Sequence, residues 1–315
     1  MDKIKIGISS CLLGNQVRYD GQHKWDRYIT ETLSQWFDFV PVCPEVECGM
    51  TIPRESMRLV GDPENPLLLT GKTKLDKTEQ MQSWIPGKLD QLAQSDIVGF
   101  IFKSKSPSSG FYNVKVYNEE GVTISHKGQG LFAKAFARRF PDIPVEEEGR
   151  LHDPGLRERF IEALFTMQDW RKHVKGKKAR DLVDFHSRHK YTFMAHSPSL
   201  LKEMGALVAS LGQKDLDSLR SEYLALLVKM VGEQKSLNNN YNVLLHMLGY
   251  FKKKISPEEK QELLQVCDQY HKGYVPLVVP LTLIRHYSLI YKEEYLLSQR
   301  FLNPHPIELG LLNHV

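Results

Sequence analysis

The hydrophobic and polar positions change rhythm near the middle of the chain. In the first half, short apolar runs alternate with amphipathic ones. Lys3-Ile-Lys-Ile-Gly-Ile-Ser-Ser10 places Ile4, Ile6 and Ile8 on one face with period two, which predicts a strand. A helix is expected around Asp26–Phe37, a second strand over Phe37–Val42, and a helix over Leu75–Gln94. Ile97-Val-Gly-Phe-Ile-Phe102 is apolar almost throughout, the pattern of a strand buried on both faces. Val114–Tyr117 reads as a further strand and Gly130–Phe140 as an amphipathic helix. Such alternation predicts a Rossmann-like α/β domain with a mostly parallel, doubly wound sheet.

Prolines, three successive glutamates and Gly149 break the pattern over Pro141–Gly155. Beyond it, Arg157–Arg171, Ala179–Ala195, Ser197–Leu211, Leu216–Gly232 and Pro257–Lys272 carry apolar residues three and four apart, as helices do. Pro257 after Ser256 suits a helix start. The expectation is an α/β domain over 1–148 followed by an all-α domain over 149–315, and 315 residues suffice for two cores.

Composition adds few constraints. Hydrophobic residues at 41% and charged residues at 25% are ordinary for a soluble globular protein. No run approaches the roughly 18 apolar residues of a membrane span, and the N-terminal apolar stretch is short and interrupted for a secretory signal. A cytoplasmic protein without membrane association is the expectation. Charge is uneven: residues 1–150 hold 19 Lys and Arg against 20 Asp and Glu, leaving 23 against 18 for the rest. Ten of the 12 histidines also lie in that second part, a balance that suits a polyanionic partner.

The chemistry gathers at strand ends. Cys11 follows the first predicted strand, Cys43 the second, and Cys48 lies five residues later in Cys43-Pro-Glu-Val-Glu-Cys48-Gly49. Ends of parallel strands form the crevice where ligands bind. No close-set cysteine pairs of a structural zinc site are present. Spacing alone leaves two readings open: a metal or catalytic site, or ordinary buried cysteines. After the strand ending at Phe102 comes Lys103-Ser-Lys-Ser-Pro-Ser-Ser-Gly110, in which Lys103, Ser104, Lys105, Ser108 and Ser109 offer hydroxyls and positive charge to a substrate or anion. A flexible turn is the alternative.

Together these segments resemble the thiouracil desulfidase (TudS) family. The matching stretches are Ser10-Cys11-Leu-Leu-Gly14, Arg18-Tyr-Asp-Gly21, Pro41-Val-Cys-Pro-Glu45, Pro53-Arg54 and Lys103-Ser-Lys-Ser-Pro-Ser, within roughly residues 3–145. The second half is similar to the helical YbgA-like domain, through Phe185-His-Ser-Arg-His-Lys190 and Ser236-Leu-Asn-Asn-Asn-Tyr241. The pair resembles the two-domain RudS form, linked to removing sulfur from 4-thiouridine in tRNA. The resemblance implies a [4Fe–4S] cluster on three cysteines, with one iron open to the substrate sulfur. It also implies a non-redox exchange of C=S for C=O with release of hydrosulfide. Glu45 and Ser106 occupy the catalytic positions. Single-domain members commonly end the last motif in Ser-Pro-Ser-Cys-Gly, and that cysteine is a ligand. Here the motif reads Ser106-Pro-Ser-Ser109-Gly110, so the implied ligand set becomes Cys11, Cys43 and Cys48.

In the helical half, Arg171, Lys172, Lys175, Lys177, Lys178 and Arg180 fall within ten positions and are candidate RNA contacts, against a solvated linker as the alternative. His186, His189 and His196 suit core hydrogen bonding or RNA stacking better than a metal, as do Tyr191 and Phe193. Cys267 has apolar neighbours and reads as core packing. Asn238–Asn242 either begins a helix or contacts RNA, and Lys252–Lys254 is a second basic cluster. The leading expectation is a desulfidase of tRNA 4-thiouridine. Its rivals are a desulfidase of free thiouracil or thiolated nucleotides, and a non-catalytic iron–sulfur protein that binds RNA or senses redox state.

Overall fold

In the computed structural model, which describes residues 3–313, the alternating isoleucines near the N-terminus form an inner strand of a parallel sheet. The first of two compact units, Met1–Phe160, begins with β1 (Ile4–Ser9), β2 (Phe37–Val42), the one-turn α1 (Pro44–Glu47), β3 (Met57–Val60) and β4 (Leu67–Thr70). It continues with α2 (Thr78–Gln94), β5 (Gly99–Phe102), β6 (Val114–Tyr117), β7 (Thr123–Gly128), α3 (Leu131–Arg139) and β8 (Val145–Glu147).

The parallel sheet has the order β2-β1-β5-β8, with Ser9 opposite Val42 and Ile8 opposite Ile101. The C-terminal ends of β1, β2 and β5 therefore lie side by side. Ile6, Ile8, Phe100, Ile101 and Phe102 are fully buried, as expected of strands covered on both faces. Gly7 is fixed by that packing, because a β-carbon there would stand 2.2 Å from the Phe100 ring.

A second four-stranded sheet, β4-β3-β6-β7, corrects the expectation of one doubly wound sheet. Val114–Tyr117 is a strand as expected, but it pairs with β3 in parallel and β7 in antiparallel fashion. One core serves both sheets: Leu59, Leu68 and Val116 join Phe100, Phe102, Phe132 and Phe136, with Met81 and Ile85 of α2. The helix expected over Asp26–Phe37 is instead a π-helical turn, Tyr28–Thr32, followed by a 3-10 turn, Leu33–Gln35. There the Thr30 and Ser34 hydroxyls donate to carbonyls four residues back and compete with the backbone ladder. α2 starts at Thr78 rather than Leu75, because Thr70 N–H donates to the Leu75 carbonyl and Lys77 N–H to that of Leu68, tying the preceding residues to β4.

The second unit, Ile161–Val315, is helical, and the division falls within α4 (Pro154–His173). Then come α5 (Ala179–His196), α6 (Pro198–Ala209), α7 (Leu216–Gly232), α8 (Leu237–Leu248), α9 (Pro257–His271), α10 (Val278–Ile290) and the short α11 (Glu294–Leu297). α9 starts as the sequence predicts, with Ser256 and Glu259 capping each other's backbone N–H. Asn238–Asn242 lies in α8, behind the N-cap Ser236. Cys267 is fully buried in a core with Val243, Leu263 and Ile284.

The histidines are hydrogen-bonded inside this unit. His186 Nδ1 meets Tyr223 Oη at 3.0 Å, and His189 Nδ1 lies 3.0 Å from the Phe185 carbonyl. His196 presents both ring nitrogens to oxygen acceptors, the Glu233 carbonyl at 2.7 Å and Glu162 Oε1 at 2.6 Å. Lys235 pairs with the other Glu162 oxygen. No helix among the described residues is long and apolar enough to cross a membrane.

Candidate active site

The loops after β1, β2 and β5 converge at one edge of the parallel sheet around a cavity of about 350 Å³. β1 supplies Ser9, Ser10 and Cys11; β2 supplies Val42, Cys43, Pro44 and Glu45; β5 supplies Lys103, Ser104, Lys105, Ser106, Pro107 and Ser109. Cys11 sits in a 3-10 turn, Ser10–Leu13, closed by Gly14 at φ 91°, a conformation that favours glycine. Cys43 stands at the N-terminus of α1, where Glu47 reaches back to accept its N–H at 2.8 Å.

Both cavity thiols are buried. Burial pushes the Cys11 thiol up to about 11, with Lys103 opposing and Glu45 adding to the rise. Cys43 rises to about 12, first through burial and then through the Glu45 charge beside it. Near neutral pH both are protonated thiols and poor nucleophiles unless a metal displaces the proton.

Glu45 is the hub of the polar groups. Its Oε1 accepts from Ser108 Oγ at 2.6 Å, and the Cys43 thiol lies 3.6 Å from Oε2. Ser106 Oγ is 2.9 Å from Ser108 Oγ and accepts the N–H groups of Ser108 and Ser109 at 3.3 and 3.1 Å. A carboxylate can only accept, so Ser108 donates to Glu45 and Ser106 donates to Ser108. The hydroxyls thus form a directed chain from the cavity wall to the carboxylate.

The loop carrying this chain is anchored from behind. The N–H groups of Leu131 and Phe132, in the first turn of α3, donate to the Pro107 and Ser108 carbonyls at 3.1 and 2.9 Å. Donors left over at a helix start are thereby satisfied by the loop after β5. Gly130 permits the approach, since a β-carbon there would lie 2.4 Å from the Ser108 carbonyl carbon.

Lys103 is held by Glu148 at 2.5 Å, and Ser104 donates its N–H and hydroxyl to the same carboxylate at 2.7 and 2.8 Å. Much of the polarity that marked this loop as an anion cradle is therefore engaged within the protein. Arg18, Tyr19, Lys24 and Arg54 also line the wall. No role was assigned to them from sequence, although three of the four lie in the matching motifs. They come from irregular loops, where no periodicity marks a face. Both terminal nitrogens of Arg54 donate to the Val17 carbonyl at 3.1 Å, tying two of those loops together.

The structure brings Cys11, Cys43, Glu45, Ser106 and Ser109 to the cavity wall. Ser108 is fully buried behind it. Cys48 is off the wall: its thiol donates to the Glu45 carbonyl at 3.3 Å and its side chain packs against the core. Among the described residues no three His, Cys, Asp or Glu side chains are grouped to hold a metal ion. The donor type suits an iron–sulfur cluster, but the side chains as placed offer two thiols where the implied cradle needs three. Of the candidate RNA contacts, Lys172, Lys175, Lys177, Lys178 and Arg180 are exposed around the turn between α4 and α5, while Arg171 is half-buried.

The family model described as 2-thiouracil desulfurase matches residues 6–148, and the model described as a protein of unknown function, DUF1722, matches residues 190–306. The uncharacterized protein YbgA of Escherichia coli (strain K12) is 33% identical over 152 residues, 48% of this chain and 89% of that protein. The chain belongs to the family of YbgA and carries a 2-thiouracil desulfurase domain. This agrees with the family expected from the motifs. The uncharacterized protein YbbK of Bacillus subtilis (strain 168) is 28% identical over 156 residues, 47% of this chain and 98% of that one. The solved structure of the [4Fe-4S]-dependent thiouracil desulfidase TudS is 30% identical, covers 50% of this chain and 98% of its own, and superposes with a TM-score of 0.39.

Proposed function

We propose that the chain removes sulfur from a thiolated uracil base, with 4-thiouridine in tRNA as its substrate. In this reaction water adds at the ring carbon, the C=S bond becomes C=O, and sulfur leaves as hydrosulfide. The observation that carries the reading is the Ser106–Ser108–Glu45 chain ending beside two thiols in a cavity of small-ligand size. The desulfurase family supports it.

Glu45 is the general base. Its Oε2 takes the proton of the attacking water, while Ser108 holds Oε1. Ser106 is anchored by two backbone N–H groups and donates its hydroxyl to Ser108, so it positions the chain that holds Glu45. Arg18 and Lys103 reach the same wall, each beside a carboxylate of the protein, Asp20 and Glu148. We assign the cofactor as a [4Fe–4S] cluster that Cys11 and Cys43 would hold from the cavity wall, with Cys48 as third thiolate once its thiol leaves the Glu45 carbonyl. When bound it supplies a soft Lewis acid matched to sulfur. The exposed basic turn between α4 and α5 is the phosphate contact.

The deciding assay is anaerobic. After cluster reconstitution, 4-thiouridine-containing tRNA is added, and thiobase absorbance and hydrosulfide are followed together. Repeated turnover with stoichiometric hydrosulfide is expected. Turnover confined to free thiouracil overturns the tRNA assignment in favour of a desulfidase of the free base. Silence on both with an intact cluster overturns the enzyme in favour of a regulatory iron–sulfur protein.

A further inference from the structure

Two aromatic rings stand in solvent on the loop that contributes Tyr19 and Lys24 to the cavity wall, and that loop is firmly held. Tyr19 is 42% exposed and lines the cavity; Trp25 is 49% exposed and follows the cavity-lining Lys24. Large exposed aromatics fixed on an ordered loop mark a contact surface more than a solubility feature does.

The backbone fixes both. Lys24 N–H donates to the Cys11 carbonyl at 2.9 Å and Asp26 N–H to the Leu12 carbonyl at 3.0 Å, which zips residues 24–26 onto the turn that carries Cys11. A β-carbon on Gly14 would lie 3.6 Å from Trp25 Cδ1, so the indole edge lies against the bare backbone of that turn. The Tyr19 carbonyl accepts Arg54 N–H at 2.9 Å, and the Arg18 guanidinium sits 5.2 Å from the Tyr19 ring centre. Lys24 and the exposed Lys105 add positive charge to the same mouth, and among the described residues neither is ion-paired.

We propose that this rim binds single-stranded RNA, with Tyr19 and Trp25 stacking on bases that flank the target nucleotide and Lys24 and Lys105 facing phosphates. Rigid π-faces beside cations are how sequence-tolerant single-strand binding is built. The inference rests on the reading of the cavity as a thiouracil site and adds the neighbouring nucleotides to its substrate. It places RNA recognition on the catalytic unit itself, in addition to the basic turn of the helical unit.

The test is binding first and turnover second, on the full chain. Fluorescein-labelled single-stranded pentauridylate, without sulfur, is titrated and followed by anisotropy at low salt. The Kd is expected to rise about 5- to 100-fold in Trp25→Ala and to stay within about threefold of wild type in Trp25→Phe, since any aromatic face can stack. Tyr19→Ala should weaken binding in the same direction. Equal Kd values in wild type and both alanine variants, or no binding of the RNA by wild type, overturn the proposal. Turnover is read as the ratio of kcat/KM on a short thiouridine oligonucleotide to that on free 4-thiouracil; Trp25→Ala should lower it about tenfold. A wild type silent on every thiolated pyrimidine overturns the desulfidase reading, while the anisotropy still judges the rim alone.

Discussion

At the scale of single residues, Ser108 and Cys48 separate what the motifs imply from what the fold arranges. Ser108 is fully buried, yet it is the group that holds Glu45. Ser108→Ala should lower kcat about 10- to 100-fold with little change in KM, leave the cluster absorbance intact, and be partly restored by Ser108→Thr. Unchanged kcat would remove the hydroxyl chain from the mechanism. Cys48 is off the wall, whereas Ser109, at the position where single-domain relatives carry a cysteine, is on it. With Cys48 turned inward as the third ligand, Cys48→Ala should cost most of the bound iron on anaerobic reconstitution, and adding Ser109→Cys should restore it. Full iron loading in Cys48→Ala alone would show that two wall thiols suffice. Cys11, Cys43, Glu45 and Ser106 were legible because each lies where a strand gives way to a short motif. Ser108's role was not, because it depends on a contact across 63 residues of chain.

At the scale of elements, the second unit is stapled through Glu162 on α4, which His196 of α5 and Lys235 both address. Burial would raise this carboxyl, but Lys235 beside it and the His196 hydrogen bond overcome that and hold it well below the usual carboxylate range. A depressed carboxyl stabilises the fold above its unfolded value of 4.5, and that stability is lost as the pH falls further through the folded value. Glu162→Gln should cost about 3–5 kcal/mol at pH 7, since it removes the charge that the Lys235 ammonium pairs with, and should flatten the acid limb of the unfolding curve. A thermal shift within error of wild type would show that the staple carries no stability. Elements with a clean period were readable, such as Leu216–Gly232, whose bounds the structure repeats. β8 was not, because Glu146–Glu148 looks like a solvated run. Glu147 is buried there, accepting Phe111 and Tyr112 N–H at 2.8 and 3.0 Å. β3 and β4, four residues each, were too short to show alternation. α10 was obscured by Pro280, which the first turn of a helix tolerates.

At the scale of the whole chain, the uneven charge gives the tRNA reading a measurable form. Contacts to phosphate release counterions, so log K should fall linearly with log salt, by about 0.7–0.9 per contact. Replacing Lys177, Lys178 and Arg180 by alanine should reduce that slope by about 2 and lower activity on tRNA relative to free thiouracil. A slope unchanged by the triple substitution would return the basic turn to the role of solvated connector. The two-part organisation was visible in the sequence as a change of period. The separation of the first unit into two sheets was not, because a four-residue strand such as β6 does not show in sequence which strand it pairs with.

The anchoring of the Ser106–Gly110 loop by α3 has a thermodynamic corollary. The Pro107 and Ser108 carbonyls are taken by the Leu131 and Phe132 amides, and the Ser106 and Ser108 hydroxyls by Ser108 and Glu45, so the loop is ordered by folding and not by its ligand. Substrate association then carries little conformational entropy loss on the protein side. Calorimetry should find the heat capacity change of binding no larger than the apolar area of one base accounts for, with no added increment from a loop ordering around it.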